Sequence, residues 1–288
     1  MLAFTLLAAL LQPAAPRDVA RLELPGISSP MWESHPALDP QTGDIWFVRS
    51  APDFSGWRLF VSRCVGGSRA AAVPAPLAAP GLEADPWFTL DGRTLWFIST
   101  RATGGMASDA LDIWLARRDR HGNWRPPERL PAPVNSDRAE WFPRLAPDGW
   151  LYFGSRREGG LGQDDIWRAR RIRGHWQVEN AGPEVNSAGA EYELEPSTDG
   201  SWALLATDSG IYRLERGRHG GWTHKVRLAG IDGIGPMIVP GDLSFLFSRR
   251  GGSGQSGEIF EARLRNVSPW PPPCVAVRPL PDLRRLPG

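Results

Sequence analysis

The stretch SRREGGLGQDDIW, residues 155–167, occurs almost twice in this chain. Residues 248–260 read SRRGGSGQSGEIF, and a looser copy, STRATGGMASDALDIW, occupies residues 99–114. Each copy begins with a serine and at least one arginine and passes through glycines to an acidic residue, an isoleucine and an aromatic residue. Such copies are typical of repeat architectures, in which one supersecondary unit is used several times.

The sequence around these copies divides into five units, which begin at Glu33, Glu83, Glu140, Glu191 and Gly233 and are spaced 50, 57, 51 and 42 residues apart. Each unit predicts four short strands. An Asp-Gly turn such as residues 148–149 separates the first two strands, and alternation of apolar and charged residues marks the third. Four strands in 40 to 57 residues are the signature of a β-propeller. We therefore predict an all-β fold, a closed β-propeller with five four-stranded blades.

The two ends of the repeat region predict how the ring closes. Residues 22–33, LELPGISSPMWE, match the fourth-strand segments at 130–140 and 182–191, so the chain begins with an outer strand that can join the last blade. The tail SPWPPPCVAVRPLPDLRR, residues 268–285, can supply that strand instead, which leaves six blades as the alternative. We expect the propeller to span residues 17–270, followed by a proline-rich tail at 271–288.

Composition restricts the class of protein. Trp occurs 14 times and hydrophobic residues make up 41% of the chain, so the 32 glycines and 28 prolines indicate a packed, loop-rich β protein. Lys225 is the only lysine, and the net charge of +1 implies neither nucleic acid nor an anionic membrane as a partner.

The apolar run LAFTLLAALL, residues 2–11, has the length of a signal-peptide core and is too short to span a membrane. We therefore expect a signal peptide at residues 1–16, no membrane span, and a periplasmic or secreted protein; a buried amino-terminal helix is the alternative. The two cysteines, Cys64 and Cys274, do not form a metal-binding Cys-x-x-Cys pair. They can form one disulfide or remain two thiols.

The run PDGWLYFGSRREGGLGQDDIW, residues 147–167, resembles the propeller repeats of TolB-like periplasmic proteins. The resemblance covers about residues 20–270 and implies a propeller in the periplasm, but says little about a ligand. TolB-like propellers are typically six-bladed, so a count of five units departs from that pattern. We expect neither the amino-terminal domain of TolB nor an OmpA-like domain in this sequence.

The recurring elements are candidates for architecture. In a propeller, the second-to-third and fourth-to-first loops share one face, here called the upper face. The glycine-rich element is such a second-to-third loop, and its presence in several blades favours a structural role; it also lacks the lysine and the following helix of a phosphate-binding loop. The glutamates that open the first four units can form a cation or basic-peptide site, or each can accept hydrogen bonds from loop amides or an arginine such as Arg156.

Residues that differ between blades are better candidates for ligand contacts. Aromatic side chains beside carboxylates at a concave mouth suit stacking on sugars or gripping a peptide, although packing between blades is the alternative. Phe142 and Glu193 lie on the same strands, and the short loop TDSG at residues 207–210 predicts a notch in the rim. The predicted ligand-binding set is Trp32, Glu33, His35, Asp85, Trp87, Glu140, Trp141, Glu191 and Tyr192.

These observations favour an exported, non-catalytic, monomeric binding or scaffold protein whose upper face receives a protein or an envelope glycan. His35 is the only histidine expected at the channel, and no Ser/His/Asp constellation is present, so we predict no catalytic residue, metal or cofactor. The alternative is a carbohydrate-active hydrolase or lyase in which two carboxylates at the channel mouth act as acid and base.

Overall fold

The computed structural model describes residues 16–103, 110–250 and 257–274 of the 288-residue chain, with the side chain of Arg250 excluded. The predicted signal peptide and most of the predicted tail therefore lie outside the described residues. Within the described ranges the regular secondary structure consists of strands without a helix, so none of these residues belongs to a helix long and apolar enough to cross a membrane.

The strands form five four-stranded sheets and one small hairpin. Strand β1 (Asp18–Arg21) comes first. Blade 1 follows with β2 (Trp32–Leu38), β3 (Ile45–Ser50) and β4 (Arg58–Ser62), then the hairpin β5 (Cys64–Val65) and β6 (Ser68–Arg69), and finally β7 (Val73–Pro74). Blade 2 contains β8 (Glu83–Phe88), β9 (Thr94–Ser99), β10 (Asp112–Arg117) and β11 (Glu128–Arg129).

The remaining three blades follow the same plan. Blade 3 contains β12 (Glu140–Leu145), β13 (Leu151–Ser155), β14 (Asp165–Ile172) and β15 (His175–Asn180). Blade 4 contains β16 (Glu191–Pro196), β17 (Trp202–Thr207), β18 (Gly210–Arg216) and β19 (Trp222–Arg227). Blade 5 contains β20 (Ile234–Ile238), β21 (Ser244–Arg250) and β22 (Gly257–Arg263), and β1 is its fourth strand.

The five blades stand in a ring, which confirms the prediction of a five-bladed propeller. Strand β1 pairs with β22 from Asp18 opposite Arg263 to Arg21 opposite Phe260. The leading outer strand is thus confirmed, although it lies just before the segment that the repeat alignment selected. Each hydrogen-bonded ladder stays inside one blade, so hydrogen bonds do not close the ring, and packing between neighbouring sheets connects the blades.

The core lies between the sheets and comes mainly from the second strands. The same position of these strands carries a fully buried side chain in every blade, namely Phe47, Phe97, Phe153, Leu205 and Phe247. Both faces of each blade are covered by its neighbours, and this explains why β13 and β17 are buried along their whole length. The Asp-Gly turns work as predicted, since Gly92, Gly149 and Gly200 have φ of 64°, 84° and 72°, values that favour glycine.

Cys64 and Cys274 form a disulfide, with their Cα atoms 5.5 Å apart. The bond joins the hairpin after the third strand of blade 1 to the segment that follows the last strand of blade 5, across 210 residues of sequence. Of the two possibilities that the sequence left open, the structure has the paired one. The bond connects blades 1 and 5, between which the ring closes.

A candidate ligand site at the upper mouth of the channel

The innermost strand of every blade changes register near its start, where a β-bulge or irregularity interrupts the ladder. In blades 1, 2, 3 and 5 the interruption includes the position two residues after the start of the repeat. The backbone at that position is left-handed, with φ of 50° at His35, 57° at Asp85, 51° at Phe142 and 62° at Gly235. In blade 4 the interruption lies between Glu191 and Glu193, so Glu193 directly follows it. Bulges re-aim side chains, and these bring His35, Asp85 and Glu193 together in the channel.

His35 connects three blades inside the channel. Its Nε2 lies 3.0 Å from Glu193 Oε1 and 3.3 Å from Asp85 Oδ1, while its Nδ1 lies 2.9 Å from the hydroxyl of Ser34. The three channel side chains are buried, with exposed fractions of 5% for His35, 4% for Asp85 and 7% for Glu193. We call these three residues the channel cluster.

In each of the two carboxylates, the oxygen that does not contact His35 accepts a hydrogen bond from one of the two remaining innermost strands. Asp85 Oδ2 accepts a hydrogen bond from the backbone N–H of Phe142 over 2.8 Å, and Glu193 Oε2 accepts one from Gly235 over 2.5 Å. A Cβ atom at Gly235 would lie 2.8 Å from the His35 ring, so only glycine leaves room for the imidazole. The channel cluster therefore ties all five innermost strands together.

The electrostatics of the channel cluster favour a protonated imidazole. Burial lowers the pKa of His35, but Asp85 and Glu193 together outweigh burial and raise the pKa above its ordinary value. Burial also raises the pKa of Asp85, an effect that His35 partly offsets. Two buried carboxylates thus lie at one imidazole and stabilise its protonated form.

A second polar layer lies directly below the channel cluster. Arg144 Nε donates to Glu195 Oε2, and the Arg144 guanidinium lies 3.6 Å from the centre of the Phe142 ring. Burial raises the pKa of Glu195 to about 7, against the opposing effect of Arg144. One cavity of about 550 Å³ opens above these two layers, and another of about 530 Å³ lies at the opposite end of the channel.

The upper cavity has a charged floor and aromatic walls. The channel cluster forms the floor, Phe54 and Trp57 of the second-to-third loop of blade 1 form one wall, and Trp141 and Tyr192 form another. Trp141 Nε1 donates to the carbonyl of Tyr192 over 2.8 Å, and the indole lies against Gly154, where a Cβ atom would come within 2.1 Å of Nε1. Gly154 is therefore required for the position of this wall.

The structure places the predicted ligand-binding residues in four different surroundings. His35, Asp85, Trp141 and Tyr192 line the upper cavity. Trp87 lines the cavity at the other end of the channel. Trp32 is buried and packs against Phe54, with 4.7 Å between ring centres. The remaining three residues, Glu33, Glu140 and Glu191, are buried beneath the upper loops.

The repeated glutamates of blades 1, 3 and 4 have nearly identical surroundings, and in blade 2 the backbone N–H of Ala79 takes the place of the serine beside Glu83. The Glu140 carboxylate accepts hydrogen bonds from the backbone N–H and hydroxyl of Ser136, four residues earlier, and from Arg157 Nη2 over 2.8 Å. Ser29 and Ser187 make the same contacts to Glu33 and Glu191. Arg156, which the sequence suggested as a partner of a repeated glutamate, instead forms an ion pair with Asp164. These carboxylates therefore hold the loops that rise to the upper face.

The glycine-rich loop that recurs in the sequence is stabilised by its own carboxylate. Asp165 accepts hydrogen bonds from the backbone N–H groups of Leu161 and Gly162 and from the side chain of Asn180. A Cβ at Gly162 would come within 2.4 Å of two carbonyl oxygens in the next loop, so the glycine permits close backbone approach. These contacts fix the shape of the loop and its position against the next loop.

Several residues of the site were absent from the predicted set. Alternation along the first strands, which places residues 193 and 195 on the face of Glu191, was a usable signal for Glu193 and Glu195. Phe54 and Trp57 had no such signal, because they lie in an irregular loop of blade 1. Among the described residues, no three His, Cys, Asp or Glu side chains are placed to hold a metal ion.

Comparisons with known proteins give a fold likeness. No protein-family model and no curated protein matches the chain. It is similar in structure to TolB from Acinetobacter baumannii, with 18% identity, a TM-score of 0.49, and coverage of 82% of this chain and 56% of TolB, so it spans little more than half of TolB's length. The gluconolactonase XC5397 from Xanthomonas campestris gives 13% identity and a TM-score of 0.47, covering 88% of this chain and 98% of that one. An oligogalacturonate lyase from Vibrio parahaemolyticus has 14% identity and a TM-score of 0.41, and the match covers 83% of this chain and 68% of the lyase.

Proposed function

We propose that this chain is an exported, non-catalytic binding protein whose upper cavity receives part of a protein or envelope-glycan ligand. The observation that carries the proposal is a cavity with aromatic walls above a floor of carboxylates that already have partners. Its volume of about 550 Å³ lies within the roughly 300 to 1,000 Å³ that is usual for ligand pockets.

The engagement of the carboxylates supports binding over catalysis. A general acid or base must reach the proton that it transfers on the substrate. Glu193 is hydrogen-bonded through one oxygen to His35 and through the other to the backbone N–H of Gly235. Asp85 accepts a hydrogen bond from the backbone N–H of Phe142, and its other oxygen forms an ion pair with His35. Their role in the proposal is to hold the innermost strands and give the floor its charge, while the aromatic walls make the contacts.

The disulfide supports export. Disulfides form and persist in oxidising compartments such as the periplasm, and Cys64 and Cys274 are bonded here. We propose a periplasmic or secreted location on this basis, together with the signal peptide expected from the sequence. Size-exclusion chromatography with light scattering would test the accompanying proposal of a monomer.

The test is capture of ligands from an envelope extract by the intact protein. Trp141→Ala removes one wall of the upper cavity, and Trp87→Ala is its matched control, because Trp87 lines the opposite cavity. We expect Trp141→Ala to reduce capture and Trp87→Ala to leave it unchanged. Thermal unfolding of both variants shows that each has folded. Equal capture by wild type and a folded Trp141→Ala variant would refute the upper cavity as the binding site.

One observation favours a second candidate function, a carbohydrate-active hydrolase or lyase. Burial raises the pKa of Asp85, which suits a general acid, and a second carboxylate, that of Glu193, contacts the same Nε2 atom of His35. Release of reducing or unsaturated sugar ends from acidic polysaccharides would support it, provided that Asp85→Asn abolishes the release. The absence of release across a panel of envelope glycans would leave binding as the function.

A further inference from the structure

We propose that the upper cavity recognises an organic cation, namely the ammonium or guanidinium group of a lysine or arginine side chain in a protein ligand. This inference rests on the proposed function and specifies its ligand class. Three features of the described residues carry it: the arrangement of the aromatic walls, the charge of the floor, and the charges on the rim.

The aromatic walls face each other across the channel. Phe54 and Trp57 belong to blade 1, with ring centres 5.2 Å apart, whereas Trp141 and Tyr192 belong to blades 3 and 4. In a ring of five, blades 3 and 4 lie opposite blade 1. A group entering the mouth therefore passes between aromatic residues on both sides. Aromatic faces attract cations, most strongly where water is displaced, and recognition of ammonium groups by several aromatic residues follows from this.

The floor supplies negative charge. The channel cluster contains two carboxylates and one imidazole. With both carboxylates ionised, the cluster keeps a net negative charge even when His35 is protonated. The guanidinium of Arg144, in the polar layer below the floor, is paired with Glu195. Because the cluster is buried, its charge is screened less than a surface charge and acts on the cavity above it.

Carboxylates also border the wall formed by Tyr192. Burial raises the pKa of the Tyr192 hydroxyl, and the neighbouring charges of Asp164 and Asp208 raise it further. Arg156, the only arginine that lines the cavity among the described residues, is ion-paired with Asp164. Asp208 is exposed and has no ion-pair partner in the part of the chain that the structure describes. It lies in the two-residue loop between β17 and β18, the short loop for which the sequence predicts a notch in the rim.

These features exclude two other ligand classes for this cavity. An anionic group would meet the excess charge of the floor at close range, which is unfavourable in a site of low dielectric constant. A purely apolar group would fill the space between the walls but would gain nothing from the negative charge of the floor. A long side chain that ends in a cation satisfies both the walls and the floor.

The experiment measures binding of blocked amino acids to the full chain by isothermal titration calorimetry. The probes are the Nα-acetyl methylamides of lysine and arginine; norleucine, which has a similar shape without charge, and glutamate serve as controls. We expect the lysine or arginine probe to bind at least about tenfold more tightly than the norleucine probe, and the glutamate probe to bind most weakly. Equal affinity for lysine and norleucine, preference for glutamate, or no cationic binding at millimolar concentration would overturn the proposal.

Variants separate the site from the general charge of the protein. Asp208→Asn removes a carboxylate at the rim, and Glu128→Gln removes one from the exposed outer strand β11, so the two variants have the same net charge. Asp208→Asn should lower the affinity for the cationic probe several-fold, while Glu128→Gln should leave this affinity unchanged. Equal effects of the two variants would show that the attraction is not local. If the probes fail but Trp141→Ala still reduces capture from envelope extract, the ligand class is wrong and the proposed function stands.

Discussion

Lys225 binds the Glu191 carboxylate in the place that an arginine occupies in each of the three preceding blades. Its Nζ donates to Glu191 Oε1 over 2.9 Å and to the carbonyl of Val185 over 2.8 Å. In blade 3, Arg157 makes the same two contacts, to Glu140 and to the carbonyl of Val134. The loop between β17 and β18 has only two residues, so it provides no arginine, and the lysine reaches the glutamate from the outer strand β19.

Replacement of Lys225 by methionine should destabilise the protein. Methionine keeps most of the alkyl packing but leaves the buried Glu191 carboxylate without its cation and the Val185 carbonyl without this donor. We expect a loss of about 1 to 3 kcal/mol in the free energy of unfolding, measured by urea denaturation. Lys225→Arg should restore most of it, because arginine serves this position in the other blades. Arg218→Met on the exposed turn of the same blade is the control, and an equal loss there would contradict the explanation.

Glu140→Ala should affect folding more than ligand capture. The carboxylate accepts hydrogen bonds from the Ser136 backbone and hydroxyl, from Ser155 and from Arg157, so its removal leaves buried donors unpaired. We expect a loss of about 1 to 3 kcal/mol in stability, with capture unchanged at temperatures where the variant is folded. An unchanged urea midpoint with lost capture would instead show that the repeated glutamates contact the ligand.

Reduction of the Cys64–Cys274 bond should lower stability at the closure between blades 1 and 5. The bond spans 210 residues, and in the chain-entropy model a loop of this length contributes on the order of 5 kcal/mol. We expect dithiothreitol to lower the melting temperature of the wild type and to have no effect on a Cys64→Ser/Cys274→Ser variant. Intact mass after alkylation gives the redox state directly, and two alkylated thiols in unreduced protein from the periplasm would refute the bond.

Glu195 should make stability fall as pH rises from about 4.5 to about 7. Burial raises its folded-state pKa to about 7 from an ordinary value of 4.5, so the folded protein holds this proton after the unfolded chain has released it. Unfolding then becomes easier with rising pH across that interval and levels off above it. The groups around Glu195 are Arg144, which opposes the shift, and Glu193, which adds to it.

The measurement is the urea midpoint of the wild type and of Glu195→Gln between pH 4.5 and pH 8. The difference between the two proteins isolates this carboxyl from the other buried acids. We expect the wild type to lose stability with pH faster than the variant up to about pH 7. Parallel pH profiles, or a carbon-13 titration of the Glu195 carboxyl with a midpoint near 4.5, would contradict the raised pKa.

The architecture could be predicted from the sequence because it depends on local patterns that the chain repeats. Asp-Gly turns, alternating strands and a return to glutamate at nearly constant spacing recur along the chain, so each unit carries its own evidence for four strands. The repeats also predicted that a strand at the start of the chain completes the last blade, and β1 pairs with β22 in this way. The predicted segment, residues 22–33, lies just after β1, because short outer strands have only a weak sequence pattern.

The candidate site depended on information that no local pattern contains. His35, Asp85 and Glu193 lie in three different blades and up to 158 residues apart in sequence. They meet because bulges in the innermost strands change which side chains face the channel: His35 and Asp85 lie within such bulges, and Glu193 directly follows the one in blade 4. A bulge changes which side chains face inward, so alternation alone could not separate the upper cavity from the lower one, where Trp87 lies.

The repeat therefore determined the propeller, its blade count and the loops that its glutamates hold, since these follow from interactions between residues close in sequence. The tertiary structure alone decided the composition of the upper cavity. The wall formed by Phe54 and Trp57 lies across the channel from the wall formed by Trp141 and Tyr192 only once five blades have closed into a ring. The lysine at position 225 is likewise explained only by the tertiary structure. The short loop between β17 and β18 contains no arginine, and Lys225 on β19 pairs with Glu191 instead.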